Sequence, residues 1–481
     1  MQCAMYTVAQ LIGGVWGAGG EGGELVVHDP ADGSPVTTVP VATADEVAKA
    51  VEAARGAAAD WAATAPAERA AALHRAADAV EAAAEELAQA TTAELGKPLD
   101  DARGGVAAGI GTLRQYAELG PVRGGRTLHG GHSALDFMAP EPRGVVAAIT
   151  PWNDPVAVSC GLLGAALVTG NVVLYKPSER TPGTGWLLAK ALDSALPAGV
   201  LSLLTGGPEV GAALAGQEVD VVAHVGSTAT GRAIAAAGAR TGAKVLLENG
   251  GSDPLVVDAG VDPVWAAEQA ALGCFANAGQ ICVAVERIYV HRDLAEDFVD
   301  ALVERARALT MGPGRDPGTQ LGPLVDRRHR DHVHGQVTAA VAEGAQVRTG
   351  GTLPDGPGAF YPATVVAECR HEMALVREET FGPVAPVIVV DSFSEGLRCA
   401  ADSPYGLAAT VLTGSMSHAQ RAWRELPVGT VKINAVFGGA PGGAAQPRRG
   451  SGQGFGYGPE LLDEFSTVKT VHIEAPGGGH W

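Results

Sequence analysis

The stretch Val219-Asp-Val-Val-Ala-His-Val-Gly226-Ser-Thr-Ala-Thr-Gly231 reads as a buried strand that turns at a glycine into a helix. Short apolar runs of the same kind precede it at 144–149, 171–175 and 200–204, and one follows at 244–247. Helical patterns fill the gaps, over 155–168, 182–196 and 228–239. Strands apolar on both faces and joined by helical crossovers make a parallel, doubly wound sheet, so the fold class is α/β. Such sheets bind nucleotides at the carboxyl ends of their strands.

Gly226 and Ser227 stand where a helix begins, so free backbone N–H groups and the helix dipole face any anion docked there. The run is not GxGxxG, and glycine turns are common, so it carries little alone. Lys176-Pro-Ser-Glu179 ends the second strand of the sheet and strengthens it. A lysine there reaches ribose hydroxyls or phosphate, and a carboxylate accepts both hydroxyls of an adenosine ribose. Glu179 would repel a 2′-phosphate, which favours NAD, with NADP left possible through Lys176.

Upstream, residues 43–94 read as an alanine-rich helical hairpin. Thr43 and Glu46 form a capping box, Pro66 suits a first turn, and Gly96 and Pro98 stop the second helix. A further amphipathic stretch covers 100–119. A second α/β series begins near Pro254, with strands at 255–257, 287–290, 384–390 and 408–412 and helices at 263–275 and 294–309. Residues 437–458 are glycine-rich and read as a loop lining a cleft. The strand 466–473 stands apart and suits pairing at a subunit interface, and 476–481 read as a frayed end.

With 481 residues, two large domains with small appendages are expected, and 46% hydrophobic against 18% charged residues supports sizeable cores. The net charge of −19 repels phosphate backbones and anionic membranes, which disfavours nucleic acid as a partner. Neither a basic-then-apolar leader nor a run of 18 apolar residues is seen, so a cytoplasmic protein is expected.

Six cysteines lack any CxxC pair or metal-like spacing, so neither disulfides nor a metal are expected. Cys3, Cys160, Cys274, Cys369 and Cys399 read as small buried hydrophobes. Cys282 differs in its company: Gly279 and Gln280 break a helical pattern just before it, which exposes a side chain and its N–H to a cleft. Glu248 ends an apolar strand before Gly250-Gly251, and Asn153 follows Pro151-Trp152. Together they supply a thiol nucleophile, a carboxylate base and an amide donor. His329, His332 and His334 read as a solvated helix face.

These segments resemble, in order, the NAD(P)-dependent aldehyde dehydrogenase superfamily. The match runs through Pro151-Trp-Asn153, Lys176-Pro-Ser-Glu179, Gly226-Ser-Thr228 with Gly231, Glu248 with Gly250-Gly251, and Phe275 with Asn277, Gly279-Gln280 and Cys282. It continues through Glu378-Glu-Thr-Phe-Gly-Pro383, Tyr405-Gly-Leu407 and Ser451-Gly452. The resemblance implies a Rossmann-like dinucleotide-binding domain from 1–122 and 142–250, an α/β catalytic domain from 251–461, and an oligomerisation β-arm from 123–141 and 462–481. A homodimer or homotetramer follows.

By position, Lys176 and Glu179 would hold the adenosine ribose, Gly226 and Ser227 the pyrophosphate, and Glu379 and Phe381 the nicotinamide ribose and ring, with Trp152 beside the cofactor. Cys282 would add to a small-molecule aldehyde, Asn153 and the Cys282 N–H would steady the alkoxide, and Glu248 would activate the hydrolytic water. Alternatives are a coenzyme A-acylating semialdehyde dehydrogenase, which needs no such glutamate, and an idle family member.

Departures from the pattern are Asn249 after the base, Thr467 before Val468-Lys469, and Ala444-Ala-Gln-Pro-Arg-Arg-Gly-Ser-Gly452 without an aromatic anchor. Asp154 would discourage an anionic tail, whereas Arg448 and Arg449 would clamp one bidentately. A small polar or anionic aldehyde is therefore expected over a bulky aromatic one.

Overall fold

A computed structural model describes residues 6–20, 22–132, 134–439 and 443–474. Cys3, the 476–481 tail and part of the glycine-rich 437–458 run lie outside the described residues.

Two sheets organise the chain. The first has eight strands in the order Gly452–Gln453, Lys244–Glu248, Val221–Val225, Val145–Ile149, Val172–Lys176, Leu201–Leu203, Gln10–Ile12 and Val15–Gly17. Its five central strands are parallel. The strands at Val145, Val172 and Val221 are buried along their whole length, because helices cover both faces. The chain steps from Val145–Ile149 to one side, then returns to place Val221–Val225 on the other. That reversal opens a crevice at the carboxyl ends of these two strands.

The second sheet has seven strands in the order Gln346–Thr349, Thr364–Ala367, Val384–Val390, Val285–His291, Asp253–Val257, Ala408–Leu412 and Thr430–Ile433. Only four residues, 249–252, connect the end of strand Lys244–Glu248 to the start of strand Asp253–Val257. The carboxyl ends of the first sheet thus meet the amino ends of the second, and each sheet has its own apolar core.

The parallel strands Val145–Ile149, Val172–Lys176 and Val221–Val225 and the helix Pro263–Phe275 form where the sequence pattern puts them. The Thr43–Glu46 capping box forms, with reciprocal bonds of 2.8 and 3.2 Å. The alanine-rich segment is three helices rather than a hairpin of two, Ala44–Ala63, Pro66–Ala82 and Ala84–Leu95. The extra break at Ala83 has no glycine or proline to announce it.

The expected loop near 452 contains a short strand, Gly452–Gln453, that pairs antiparallel with Leu247 and Glu248. Two residues carry no period, so nothing in the sequence marks it. The strand Ser466–Glu474 pairs with Ala134–Pro142, and Arg126–Leu128 completes a separate three-stranded sheet. Among the described residues, no helix is long and apolar enough to cross a membrane.

Candidate active site

The helix Pro263–Phe275 ends in a tight turn in which Asn277, Ala278 and Gly279 all take left-handed backbone (φ 48°, 54° and 73°). Two of the three carry a Cβ, and strain of this kind persists only where surrounding bonds over-determine it. Those bonds are present. Asn277 Nδ2 donates to Gln280 O (3.1 Å) and Asn153 O (3.3 Å), Gln280 Nε2 donates to Asn277 O (3.1 Å), and Gln280 Oε1 accepts from Val325 N (2.9 Å). Asn153 Nδ2 also donates to Gln280 O (3.1 Å). One Asn153 N–H is thereby committed to the turn that delivers Cys282, and the second is left for a ligand.

Cys282, Asn153 and Glu248 line one cavity of about 260 Å³. Its walls also include Trp152, Gly226, Ser227, Asn249, Glu379, Phe381, His329 and His332. Burial, reinforced by the carboxylates of Glu248, Asp253 and Glu379, pushes the Cys282 thiol up to about 12, so in this state it is protonated. Burial likewise raises Glu248 to about 7. Its Oε1 has no hydrogen-bond partner among the described residues, and its carboxylate rests on Gly456, where a Cβ would come within 1.9 Å of Cδ. A carboxyl titrating near neutrality in this cavity is suited to accept a proton from water.

The cofactor end is built from several elements. Ser227 caps the helix Thr228–Thr241 by accepting from Thr230 N (3.2 Å), which fixes the first-turn N–H groups at the crevice. Gly226 and Gly250 are cradles, since a Cβ on either would run into His224 (2.7 Å) or the Glu379 carboxylate (2.1 Å). Glu379 accepts from Gly251 N (3.0 Å), and burial raises its carboxyl to about 7. Its loop is held from below by Glu286, which accepts from Thr380 N (2.9 Å) and Phe381 N (2.8 Å). At the end of the neighbouring strand, the buried Lys176 ammonium lies 3.5 Å from Glu179. These are donors, acceptors and open backbone of the kind a dinucleotide needs, and they fit one.

His329 and His332 went unrecognised in the sequence, and reading their helix as a solvated face needs correction. His329 donates from Nε2 to Phe381 O (2.7 Å), which fixes its tautomer because a carbonyl only accepts. Its ring meets Trp152 and Phe381 edge-on at 6.2 and 6.3 Å, and His332 stacks outside it at 6.3 Å. Phe381 itself lies 5.4 Å from Trp152, and Arg180 sits over the outer Trp152 face at 5.2 Å. The available signal was the i, i+3 spacing of two histidines just after an Asp326 cap. His334 bonds Tyr361 (3.2 Å) instead. Among the described residues, no cluster of His, Cys, Asp or Glu is arranged to hold a metal.

The three substrate candidates lie elsewhere. Asp154 pairs with Lys97 (3.4 Å), facing the helix Leu99–Val122 at Gly105. Arg449 donates to Ala401 O (2.8 Å) and Ser403 O (2.7 Å), and Arg448 is exposed. None of them lines the cavity. Two adjacent arginines on an irregular loop carry no period that tells which way they face, and here open carbonyls took one of them. Asn249, one of the departures, ties the end of the Glu248 strand to the 450–451 segment, with its N bonded to Ser451 O (2.8 Å) and Nδ2 to Gly450 O (3.1 Å).

Comparison with known proteins agrees with this geometry. Residues 16–471 match the aldehyde dehydrogenase family. The chain is 38% identical over 466 residues to 3,6-anhydro-alpha-L-galactose dehydrogenase of Streptomyces coelicolor, covering 94% of this chain and 93% of that protein. In structure it resembles an NAD-dependent aldehyde dehydrogenase from Sinorhizobium meliloti (TM-score 0.95, 32% identity, 100% of this chain and 96% of that one). It also resembles betaine aldehyde dehydrogenase from Staphylococcus aureus in complex with NAD+ (TM-score 0.94, 30% identity, 97% and 94%). With a thiol, a carboxyl and a side-chain amide around one cavity and a family match over nearly its whole length, the chain belongs to the aldehyde dehydrogenase family.

Proposed function

We propose that this NAD(P)-dependent aldehyde dehydrogenase oxidises an aldehyde to a free carboxylic acid through a thioester on Cys282. The observation that carries the reading is the convergence of Cys282, Asn153 and Glu248 on one cavity whose other walls suit a dinucleotide. The Cys282 thiol gives up its proton to solvent, which leaves a thiolate as the nucleophile. Sulfur then adds to the carbonyl carbon, and the alkoxide is held by the free N–H of Asn153 and the Cys282 backbone N–H. Lys176, Glu179, Gly226, Ser227, Glu379 and Phe381 would hold the dinucleotide, whose oxidised nicotinamide would supply the hydride acceptor for the carbon–hydrogen bond of the hemithioacetal, leaving the acyl group on sulfur. Glu248 next accepts a proton from water, whose oxygen displaces the thiolate and completes the acid.

Lys176 and Glu179 support NAD over NADP, because the carboxylate already takes one strong cation and would face a 2′-phosphate with like charge. A higher kcat/KM with NADP would refute this. Arg448 and Arg449 do not line the cavity of Cys282, and Arg449 is bonded to Ala401 O, so an anionic tail finds less support in them than the sequence alone offers. A small, uncharged, hydroxylated aldehyde fits better, in line with the sugar aldehyde dehydrogenase among the relatives. We place the protein in the cytoplasm as a homo-oligomer joined through the separate three-stranded sheet.

The test is NADH formation across an aldehyde panel ranked by kcat/KM. Cys282→Ala is expected to abolish it, and wild-type turnover in that variant would overturn the nucleophile assignment. Strict need for coenzyme A, with an acyl-coenzyme A product, would overturn the hydrolytic step.

A further inference from the structure

Glu464 lies at the end of the short helix Leu461–Glu464, outside the cavity, with its side chain only 14% exposed. Its contacts converge on the two segments that frame Glu248. Oε1 accepts from Phe455 N (2.9 Å), and Oε2 pairs with Lys244 Nζ. Lys244 is the first residue of the strand that ends in Glu248. Phe455 precedes Gly456, the residue whose backbone the Glu248 carboxylate rests on. The main chain at Glu464 is itself pinned, since its carbonyl accepts from Arg143 Nε (2.7 Å). Gly456 N also bonds Ala445 O (3.0 Å), so the loop is held at two points. One carboxylate thus grips both the root of the base's strand and the loop against which the base packs.

We propose that Glu464 is a positioning residue for Glu248: by bonding Phe455 and Lys244 it holds the 454–456 loop as the wall that orients the base for hydrolysis of the acyl-enzyme. The proposal rests on the base role given to Glu248 above. The grip acts through Glu248, whose proton transfer belongs to hydrolysis, and neither Phe455 nor Lys244 lines the cavity with Cys282 and Asn153, so acylation does not depend on it. The Phe455 contact matters more than the ion pair, because Phe455 adjoins the residue that touches the base.

The experiment uses p-nitrophenyl acetate, which acylates the thiol with release of p-nitrophenolate whatever the natural aldehyde. First-turnover nitrophenolate release reads acylation, and intact mass of the trapped acetyl-enzyme reads its decay. Glu464→Ala is expected to acylate within about twofold of wild type and to lose the acetyl group about tenfold more slowly, as suits a misplaced base. Its decay is also expected to have an altered pH midpoint. Glu464→Gln keeps an acceptor for Phe455 N and is expected within about threefold of wild type.

Glu464→Asp, one methylene too short for Phe455, carries the same expectation as the alanine variant if the latter fails to fold. Unchanged decay in the alanine or aspartate variant, a tenfold loss in the glutamine variant, or acylation slowed as much as decay would overturn the proposal. Glu248→Gln, run in parallel, separates the two readings. Normal decay there removes the base role itself, whereas slow decay there with normal decay in Glu464→Ala removes only the grip.

Discussion

At the scale of single residues, the active site carries buried charge that costs stability. Among the described residues the Glu248 carboxyl has no hydrogen-bond partner on Oε1, and burial raises it to about 7 from an ordinary value of 4.5. A carboxyl raised on folding binds more protons in the folded chain, so its contribution is fully present below the unfolded value and is lost as pH climbs through about 7. Activity has the opposite slope, because only the ionised form accepts a proton. Acyl-enzyme hydrolysis is therefore expected to rise with pH to a midpoint near 7 and to level off above it. Glu248→Gln should flatten that profile, and by removing a buried charge it should give a higher Tm than wild type at pH 8, with the gap closing toward pH 5. A pH-independent Tm difference would show that the carboxyl is not the titrating group.

At the scale of elements, the Cys282 turn shows what a glycine does when backbone approaches backbone. Gly279 has φ of +73°, and a Cβ on it would lie 2.1 Å from Gly382 O and 2.4 Å from Gly382 C. Those are main-chain atoms of the loop that carries Glu379 and Phe381, so they yield only by moving the cofactor end of the cavity. Gly279→Ala is expected to lower Tm and to cost about a hundredfold in kcat/KM, the scale of an ångström of misplacement. Wild-type kinetics in that variant would show that the two loops move independently.

This turn was legible in outline from Gly279-Gln280, and the parallel strands were legible because short apolar runs recurring between helical patterns leave few alternatives. The grip of Glu464 and the brace of His329 were not. Each depends on which of several polar side chains meets a group far away in sequence, the Lys244 ammonium for one and the Phe381 carbonyl for the other, and no local period encodes that pairing.

At the scale of the whole molecule, the three-stranded sheet Arg126–Leu128, Ala134–Pro142 and Ser466–Glu474 has no core of its own. Leu135 pairs directly with Ile473, and Phe137 with Val471, so these four side chains share one face of the sheet. Leu135 is 54% and Ile473 52% exposed in the single chain. A small sheet is stable only when an apolar face is covered, and a terminal strand presenting an open edge invites pairing with another chain. A second copy of this chain supplies both needs at once, which supports a symmetric homo-oligomer. The double substitution Leu135→Glu with Ile473→Glu places like charges at the centre of that face without touching either large core. Light scattering coupled to size exclusion should read a homodimer or homotetramer for the wild type and a smaller species for the double variant. Because both sheets that form the cavity lie wholly outside this element, the dissociated chain is expected to keep bound NAD even where its turnover falls. A wild-type chain that elutes as a monomer, or a double variant of unchanged mass, would place the subunit contact elsewhere.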